Sequence, residues 1–404
     1  MTRLTPPRLE TLAWAAALAM AALVLALVGY EARDSDSRLY AEIAARMAVQ
    51  PASGWIAPTF PPGWYMTGLF REHPVGIHLL PALVARLGYP PPQAAYLANA
   101  LYQVLSLVLL QRLAARVAGG LESRALGWMI QLLPIAFTYR VRANQEQAVL
   151  LCLLFALYGI ERARGQWTWG LAVVAGLVGL LLVKGVLVVT GFGACGLWLL
   201  VRHGRDPRAR TAPAAGALVA AALAVIATAW VYEQMYRQAT GQAFWSLYLA
   251  RQLGIAAADQ SAAGVAQKAY NLVWYLGRVL WFPFPWSLTL AAAVLRPKAK
   301  SQAPATGHAR SGVAFVLLLT AFYLAAFSLS DRRADRYIFP VYYAVGAAGA
   351  VAALRAWPGL HALAARLDRG QAWVPAAVWV VAFGLHVIGG RLGLPTVKLW
   401  APDS

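Results

Sequence analysis

The sequence predicts an all-α polytopic membrane protein that forms one transmembrane domain over residues 1–404. Hydrophobic residues make up 60% of the chain and charged residues only 13%, whereas soluble domains carry about 25% charged residues. The apolar residues are gathered into runs of the length that crosses a bilayer. A chain of this composition has too little polar surface to coat a water-soluble globule, so lipid is its expected solvent.

The apolar runs predict about eleven transmembrane helices, because each crossing needs about 20 apolar residues. The first run is expected to be retained as a helix, since it is longer than the core of a signal peptide. The long run after Trp167 is divided into two helices at Lys184 and Gly185. The predicted spans cover residues 12–30, 95–118, 125–140, 147–162, 167–183, 185–201, 213–232, 273–294, 313–330, 337–354 and 372–390.

The formal net charge is +19, which in a soluble protein would suggest a nucleic-acid partner. Here most basic residues flank apolar runs, and no basic recognition motif accompanies them. The positive-inside rule therefore explains the charge and excludes nucleic acid as the expected partner. It predicts an inner (plasma) membrane protein with a cytoplasmic N-terminus and two long outer segments, residues 31–94 and 233–272.

The first outer segment contains two amphipathic patterns rather than a simple loop. Apolar residues recur every four positions from Asp36 to Met47 and every three or four positions from Pro74 to Leu87, while charged residues occupy other faces. This spacing predicts two interfacial helices. Pro74 supports the start of the second helix, because proline is favoured at the first helical position.

Three acidic residues are candidates for chemistry at the outer membrane surface. Asp34 and Asp36 follow the first span, where one carboxylate could accept a proton from a hydroxyl group. Glu146 opens a later span, and acids at membrane depth are usually functional. The alternative is structural: solvated acids beside the headgroups, and an acid stabilised by the helix dipole.

Basic residues on the outer side suggest an anionic ligand. Arg71, Glu72 and His73 precede a helix start, which suits a phosphate group. Lys184 ends a span, where snorkelling is the alternative explanation. The remaining candidates are Arg142, Arg251, Arg333 and Arg336, for which local pairing with acids is the alternative. The cysteines and histidines have no ligand spacing, so the sequence indicates no metal site.

Five motifs in order along the chain resemble the GT-C superfamily of glycosyltransferases, in particular the aminoarabinose transferases, the protein O-mannosyltransferases and related lipopolysaccharide glycosyltransferases. They are Asp36–Ala44, Glu72-His73-Pro74, Arg142–Glu146, Val183-Lys184-Gly185 and Tyr337–Pro340. The second motif departs from the usual pattern, because this family carries lysine where the chain has His73.

The resemblance implies a GT-C-type bundle and an inverting transfer from a polyprenyl-phosphate-linked sugar to a lipid, glycan or protein. Asp36, with Asp34 as the alternative and Glu146 nearby, would act as base or orient the acceptor. The donor phosphate would be bound by Arg71, His73, Lys184, Arg142, Arg251, Arg333 and Arg336. Tyr40, Glu72 and Tyr337 would line the substrate pocket. No nucleotide cofactor is expected, and the dependence on a divalent metal stays open.

A membrane transporter or lipid flippase is the alternative interpretation. Such proteins place charged or broken helices near the bilayer midplane and often contain repeated halves. In this chain the strong charges lie at the outer ends of spans, and no internal repeat is found. This distribution favours chemistry at the membrane surface.

Overall fold

The structure, a computed structural model, describes residues 9–28, 35–64, 66–140, 142–203, 211–256, 262–295, 307–330, 333–371, 373–378, 380 and 381. These residues form α-helices joined by turns and short 3-10 segments, with one longer connection at residues 50–75. The helices are α1 Leu9–Val28, α2 Ser35–Val49, α3 Gly76–Arg86, α4 Pro91–Ala114, α5 Gly120–Gln131, α6 Pro134–Arg140, α7 Glu146–Ala163, α8 Gly170–Lys184, α9 Val188–His203, α10 Thr211–Thr240, α11 Trp245–Ala256, α12 Ala262–Trp281, α13 Trp286–Leu295, α14 Gly307–Ser328, α15 Phe339–Ala356 and α16 Pro358–Arg366.

The predicted all-α multi-pass membrane protein is confirmed. Five helical stretches of the described chain are long and apolar enough to cross a membrane, and a bent pair of helices would make a sixth. The five are Gln93–Ala114, Trp167–Arg202, Thr211–Thr240, Ser311–Ser328 and Asp335–Ala356. The total of eleven spans stays a prediction, and most of the last one, residues 372–390, lies outside the described residues.

The prediction of one continuous helix over residues 273–294 is wrong. The chain bends by 106° between Gly264–Trp281 and Trp286–Leu295. Pro283 and Pro285 lie in the break, and proline lacks the N–H that would continue the helix. The span predicted over residues 125–140 is likewise divided, because α5 ends at Gln131 and α6 begins at Pro134.

The reversal predicted at Lys184 and Gly185 is present. A Cβ atom on Gly191 would lie 2.6 Å from the side chain of Leu180 and 2.8 Å from that of Leu177. In a straight helix, residues 177 and 191 would be about 21 Å apart along the axis. Helices α8 and α9 therefore fold back on each other, so the apolar stretch Trp167–Arg202 consists of two helices rather than one continuous crossing. Gly185 makes the turn with φ of +51°, a backbone conformation that favours glycine.

Helices α7 and α8 approach closely because small residues face one another. A Cβ atom on Gly176 would lie 2.6 Å from the Ala156 nitrogen and 2.7 Å from the Cys152 carbonyl oxygen. Gly159 faces Ala172 and Val173 in the same way. Small residues are typical of tight helix pairs in membranes, where close packing replaces the hydrophobic effect. This contact fixes the end of α8 relative to the start of α7.

We expect Gly176→Ala to destabilise the protein by about 1–3 kcal/mol, because the added methyl group forces the two backbones apart. The matched control is Gly216→Ala on α10, where a Cβ atom meets nothing within 4 Å. This control should be neutral or slightly stabilising. Thermal denaturation of the purified proteins in detergent would measure both, and equal midpoints would contradict the tight α7–α8 contact.

Helices α2, α3 and α11 lie together at one end of the bundle, which we call the loop end. The first two coincide with the helices predicted in segment 31–94, although their position at the membrane surface stays a prediction. The segment 233–272, predicted as a second outer loop, contains α11 between the ends of α10 and α12. An apolar cluster joins α2, the 60–75 segment, α10 and α11, with Tyr40, Phe70, Tyr236 and Tyr248 among its buried members.

His78 on α3 packs into the same region. It is fully buried, with its ring 5.5 Å from that of Tyr40 and 5.4 Å from that of Phe70. Burial lowers the pKa of this imidazole from 6.5 to about 3, because the charged form loses its hydration. His78 is therefore neutral in the folded protein at physiological pH.

The lowered pKa of His78 predicts acid sensitivity of the fold. Below pH 6.5 the His78 imidazole becomes protonated in the unfolded chain, whereas in the folded protein it becomes protonated only at about pH 3. The free energy of unfolding therefore decreases as the pH falls from 6.5 towards 3. At pH 5 it is lower than at neutral pH by about 2 kcal/mol. His78→Leu should remove this part of the pH dependence. Melting curves at pH 7.5 and pH 5 would test this, and an unchanged difference between the two midpoints would contradict it.

Candidate active site

Asp36 lies in the first turn of α2 and pairs with Arg336, which precedes α15. The two residues are 300 positions apart in the sequence, so the fold alone brings them together. Next to Asp36, the Ser37 hydroxyl accepts a hydrogen bond of 2.9 Å from the Ala143 N–H. This bond ties the start of α2 to the segment that leads into α7.

Glu146 and Lys184 form a buried ion pair at the loop end. The Lys184 Nζ atom lies 3.0 Å from Glu146 Oε1, and the side chains are only 9% and 1% exposed, respectively. Lys184 also lies 6.0 Å from the ring centroid of Tyr337. The close contact of α7 and α8 sets this geometry. The buried ammonium group is thus neutralised by one carboxylate, whose second oxygen, Oε2, has no hydrogen-bond partner.

His73 faces the same segment from the first loop. Its Nε2 atom lies 3.2 Å from Gln145 Nε2, and its buried Nδ1 atom has no partner. Burial, reinforced by the positive charges of Lys184 and Arg251 and by His78, holds the His73 pKa well below 6.5. The imidazole is therefore neutral, and it can offer a phosphate a hydrogen bond but no positive charge.

Arg71, Glu72 and Arg251 hold the first loop against α10 and α11. Arg71 donates to the Tyr236 hydroxyl at 3.0 Å, and it also pairs with the Gln242 amide oxygen. Arg251 forms an ion pair of 2.9 Å with Glu72. These side chains, predicted as phosphate or pocket residues, have a clear structural use as anchors of the loop.

Two further arginines lie over aromatic rings. The Arg142 guanidinium is 4.8 Å from the ring centroid of Tyr139, and that of Arg333 is 4.4 Å from the centroid of Tyr270. Nearby, Arg278 and Asp335 form an ion pair of 2.9 Å that the sequence analysis did not identify. The described charges of the hairpin before α15 are therefore paired with α12 and α2, rather than with each other as the structural alternative proposed.

Tyr40 is buried between the first loop and α3, with its ring centroid 6.2 Å from that of His73. Asp34 lies outside the described residues, so the choice between Asp34 and Asp36 rests on the sequence. In the described part of the chain, no group of three or more His, Cys, Asp or Glu side chains could hold a metal ion.

The polar side chains beside Glu146 were not among the predicted site residues. Asn144, Gln145 and Gln147 are 2%, 1% and 0% exposed, and each has at least one buried polar atom without a hydrogen-bond partner. A run of amides at the start of an apolar helix was the available signal, because amides are costly to bury.

The arrangement combines one partly exposed carboxylate, Asp36, with several cations at the loop end of an apolar bundle. The Asp36 side chain is 29% exposed, so a hydroxyl group from solvent could reach it. Lys184 and Arg336 offer positive charge nearby, and Asn144–Gln147 offers neutral hydrogen-bonding groups. The two acids pair with different cations, so the structure provides two distinct carboxylates rather than one shared dyad.

Comparisons with known proteins agree with this architecture. Residues 72–232 match the sequence family described as dolichyl-phosphate-mannose-protein mannosyltransferase. No curated protein matches the chain significantly. The structure is similar to that of ArnT from Cupriavidus metallidurans bound to undecaprenyl phosphate, with a TM-score of 0.60 and 18% identity. The apo state of the same protein gives a TM-score of 0.60 and 19% identity.

The similarity covers 87% of this chain and 62% of the bound ArnT chain, or 61% of the apo chain. This chain thus spans less than two thirds of the length of the protein it resembles. ArnT has the GT-C fold. The GT-C-type fold expected from the five sequence motifs is confirmed by this structural similarity, and the family match supports the same resemblance over residues 72–232.

Proposed function

We propose that the protein is a glycosyltransferase that moves a sugar from a polyprenyl-phosphate donor to an acceptor hydroxyl group, with inversion at the anomeric carbon. The observation that carries this proposal is one hydrogen bond that connects the two chain segments on which the ion-paired acids lie. Asp36, which pairs with Arg336, is next to Ser37 in the chain, and Glu146, which pairs with Lys184, follows Ala143 by three residues. The undecaprenyl phosphate bound by ArnT supports the class of donor.

In the proposed reaction, Asp36 accepts the proton of the acceptor hydroxyl group. The hydroxyl oxygen attacks the anomeric carbon from the face opposite the phosphate, and the bond from that carbon to the phosphate oxygen breaks. The bonding electrons leave with the polyprenyl phosphate. The developing negative charge is then stabilised by Lys184 and Arg336.

Binding of the donor would free the proposed base, Asp36, from its ion pair. Arg336 is paired with Asp36 in the resting protein, and a guanidinium binds phosphate with two parallel hydrogen bonds. A donor phosphate that attracts Arg336 would release Asp36 to contact the acceptor. Lys184, rather than neutral His73, would supply the second positive charge.

We place the loop end on the outer face of the inner (plasma) membrane and the N-terminus in the cytoplasm, as the distribution of basic residues predicts. The polyprenyl chain would lie in the bilayer beside the apolar helices. The acceptor is a lipid, glycan or protein, and the proposed chemistry needs no nucleotide or metal cofactor.

We expect Asp36→Asn to lower the rate of sugar transfer by about 100-fold or more, the usual contribution of a general base. The assay would give purified protein a panel of radiolabelled polyprenyl-phosphate sugars and a crude envelope fraction as acceptor. Binding of the donor should be retained, because the amide is nearly isosteric with the carboxylate.

Glu42→Gln is the matched control for this experiment. Glu42 lies on the same helix, in a surface ion pair of 2.7 Å with Arg38, so its loss should leave transfer unchanged. Equal loss in both variants would point to an effect on α2 rather than on the base. If the wild type binds a donor but transfers sugar from none of the donors tested, the result would favour the alternative of a transporter or flippase.

Glu146→Gln alone should destabilise the protein by about 3 kcal/mol or more, because it leaves the Lys184 ammonium buried without a countercharge. Adding Lys184→Met should restore much of this stability, since no unpaired charge remains. Transfer should nevertheless stay lost, because the phosphate no longer meets the ammonium group. Thermal denaturation and the transfer assay would separate the two effects.

The matched control pair is Arg124 and Asp368, which form an ion pair of 2.7 Å at the other end of the bundle. The double variant Arg124→Met, Asp368→Asn should keep its transfer activity. Full activity of the Glu146→Gln, Lys184→Met double variant would show that the buried pair is structural only.

A further inference from the structure

The segment Asn144–Gln147 contains four consecutive polar side chains that are almost completely buried. Asn144 is 2% exposed, Gln145 and Glu146 are 1% exposed, and Gln147 is 0% exposed. Burying an amide or carboxylate is unfavourable unless each polar atom finds a hydrogen-bond partner. A run of four such residues at the start of an apolar helix therefore calls for an explanation.

The hydrogen bonds within the protein do not satisfy these side chains. Asn144 has a partner for neither its amide nitrogen nor its amide oxygen. Gln145 and Gln147 each leave Oε1 unpaired, Glu146 leaves Oε2 unpaired, and neighbouring His73 leaves Nδ1 unpaired. Native proteins pair nearly all buried polar atoms, so this concentration of unpaired donors and acceptors indicates a ligand.

The surroundings of the segment place that ligand at the candidate active site. Ala143, just before Asn144, donates its N–H to Ser37, the neighbour of Asp36. Gln145 contacts His73, and Glu146 pairs with Lys184. The segment with the unpaired atoms is thus connected through Ala143 to the neighbour of the proposed base, and through Glu146 to the proposed phosphate contact.

The charges in this region indicate whether the ligand itself is charged. Glu146 and Lys184 neutralise each other, the His73 imidazole is uncharged, and the other three side chains are amides. Amides and a neutral imidazole both donate and accept hydrogen bonds, as sugar hydroxyl groups do. A sugar carboxylate or ammonium group would find no free countercharge among these residues.

We propose that Asn144, Gln145 and Gln147, with His73 and the free oxygen of Glu146, form a subsite that binds the hydroxyl groups of an uncharged sugar. The proposal rests on the transfer reaction proposed above and names its sugar-recognition residues. The unpaired atoms are shielded from solvent, so the outer loops must part for a sugar to reach them. The sugar then supplies the hydrogen bonds that the resting protein lacks.

Asn144→Leu tests the proposal, because leucine has a similar shape and no polar atoms. Removing an unpaired buried amide should leave the melting temperature of the ligand-free protein equal or higher. The probes are undecaprenyl phosphate alone and the same lipid carrying an uncharged hexose or pentose, a uronic acid or an amino sugar. Binding of each probe is measured by thermal shift and by titration.

In the wild type, an uncharged sugar should tighten binding relative to undecaprenyl phosphate alone. Asn144→Leu should weaken binding of that sugar-bearing lipid about tenfold or more, while binding of undecaprenyl phosphate stays unchanged. Gln145→Met provides a second variant with the same expectation. The matched control is Ser106→Ala on α4, which removes another buried hydroxyl without a partner and should leave both affinities unchanged.

The possible results separate this proposal from the proposed function. A wild type that binds no polyprenyl phosphate would overturn the transferase proposal, and the subsite with it. If the wild type binds undecaprenyl phosphate, but both variants bind the sugar-bearing lipid as tightly as the wild type does, the subsite proposal alone would be overturned. A preference for the uronic acid or amino sugar, or a large loss of ligand-free stability in Asn144→Leu, would also overturn it.

Discussion

The buried ion pair between Glu146 and Lys184 is the constraint on which the loop end depends. Two charges removed from water are tolerated only when their distance and hydrogen bonding are well defined. The pair joins the start of α7 to the end of α8, and the small residues Gly159 and Gly176 let these helices pack closely enough to bring the charges to 3.0 Å. Helix packing in the bundle thus determines the electrostatics of the site.

The turn after Lys184 connects this buried ion pair to the outer loops. The Tyr248 hydroxyl donates to the Lys184 carbonyl and accepts from the Val186 N–H, each at 3.2 Å. A side chain on Gly185 would collide with this tyrosine, so glycine is required both by its φ of +51° and by the lack of space. Helix α11 is therefore fixed against α8, and α11 in turn holds the first loop through Arg251 and Glu72.

Hydrophobic patterns were enough to predict the helices, including α2 and α3, and the reversal at Lys184. They could not predict the 106° bend between α12 and α13, because apolar runs reveal length but not direction. The sequence also grouped seven outer basic residues as candidate phosphate ligands, with structural pairing as the alternative. Arg71 proved to hold Tyr236, which lies 165 residues away. Periodicity describes the face of one helix, whereas such a partner is decided by how distant helices pack.

Helix packing also explains how the protein can tolerate unsatisfied polar atoms at Asn144–Gln147. These side chains follow a hydrogen bond that fixes the backbone at Ala143, and they precede an apolar helix buried over most of its length. Packing of the rest of α7 against α8 holds the segment in place although its own side chains oppose burial. A fold stabilised by apolar helices can therefore keep a few polar groups preorganised at its end, which is the condition under which a ligand gains most from binding them.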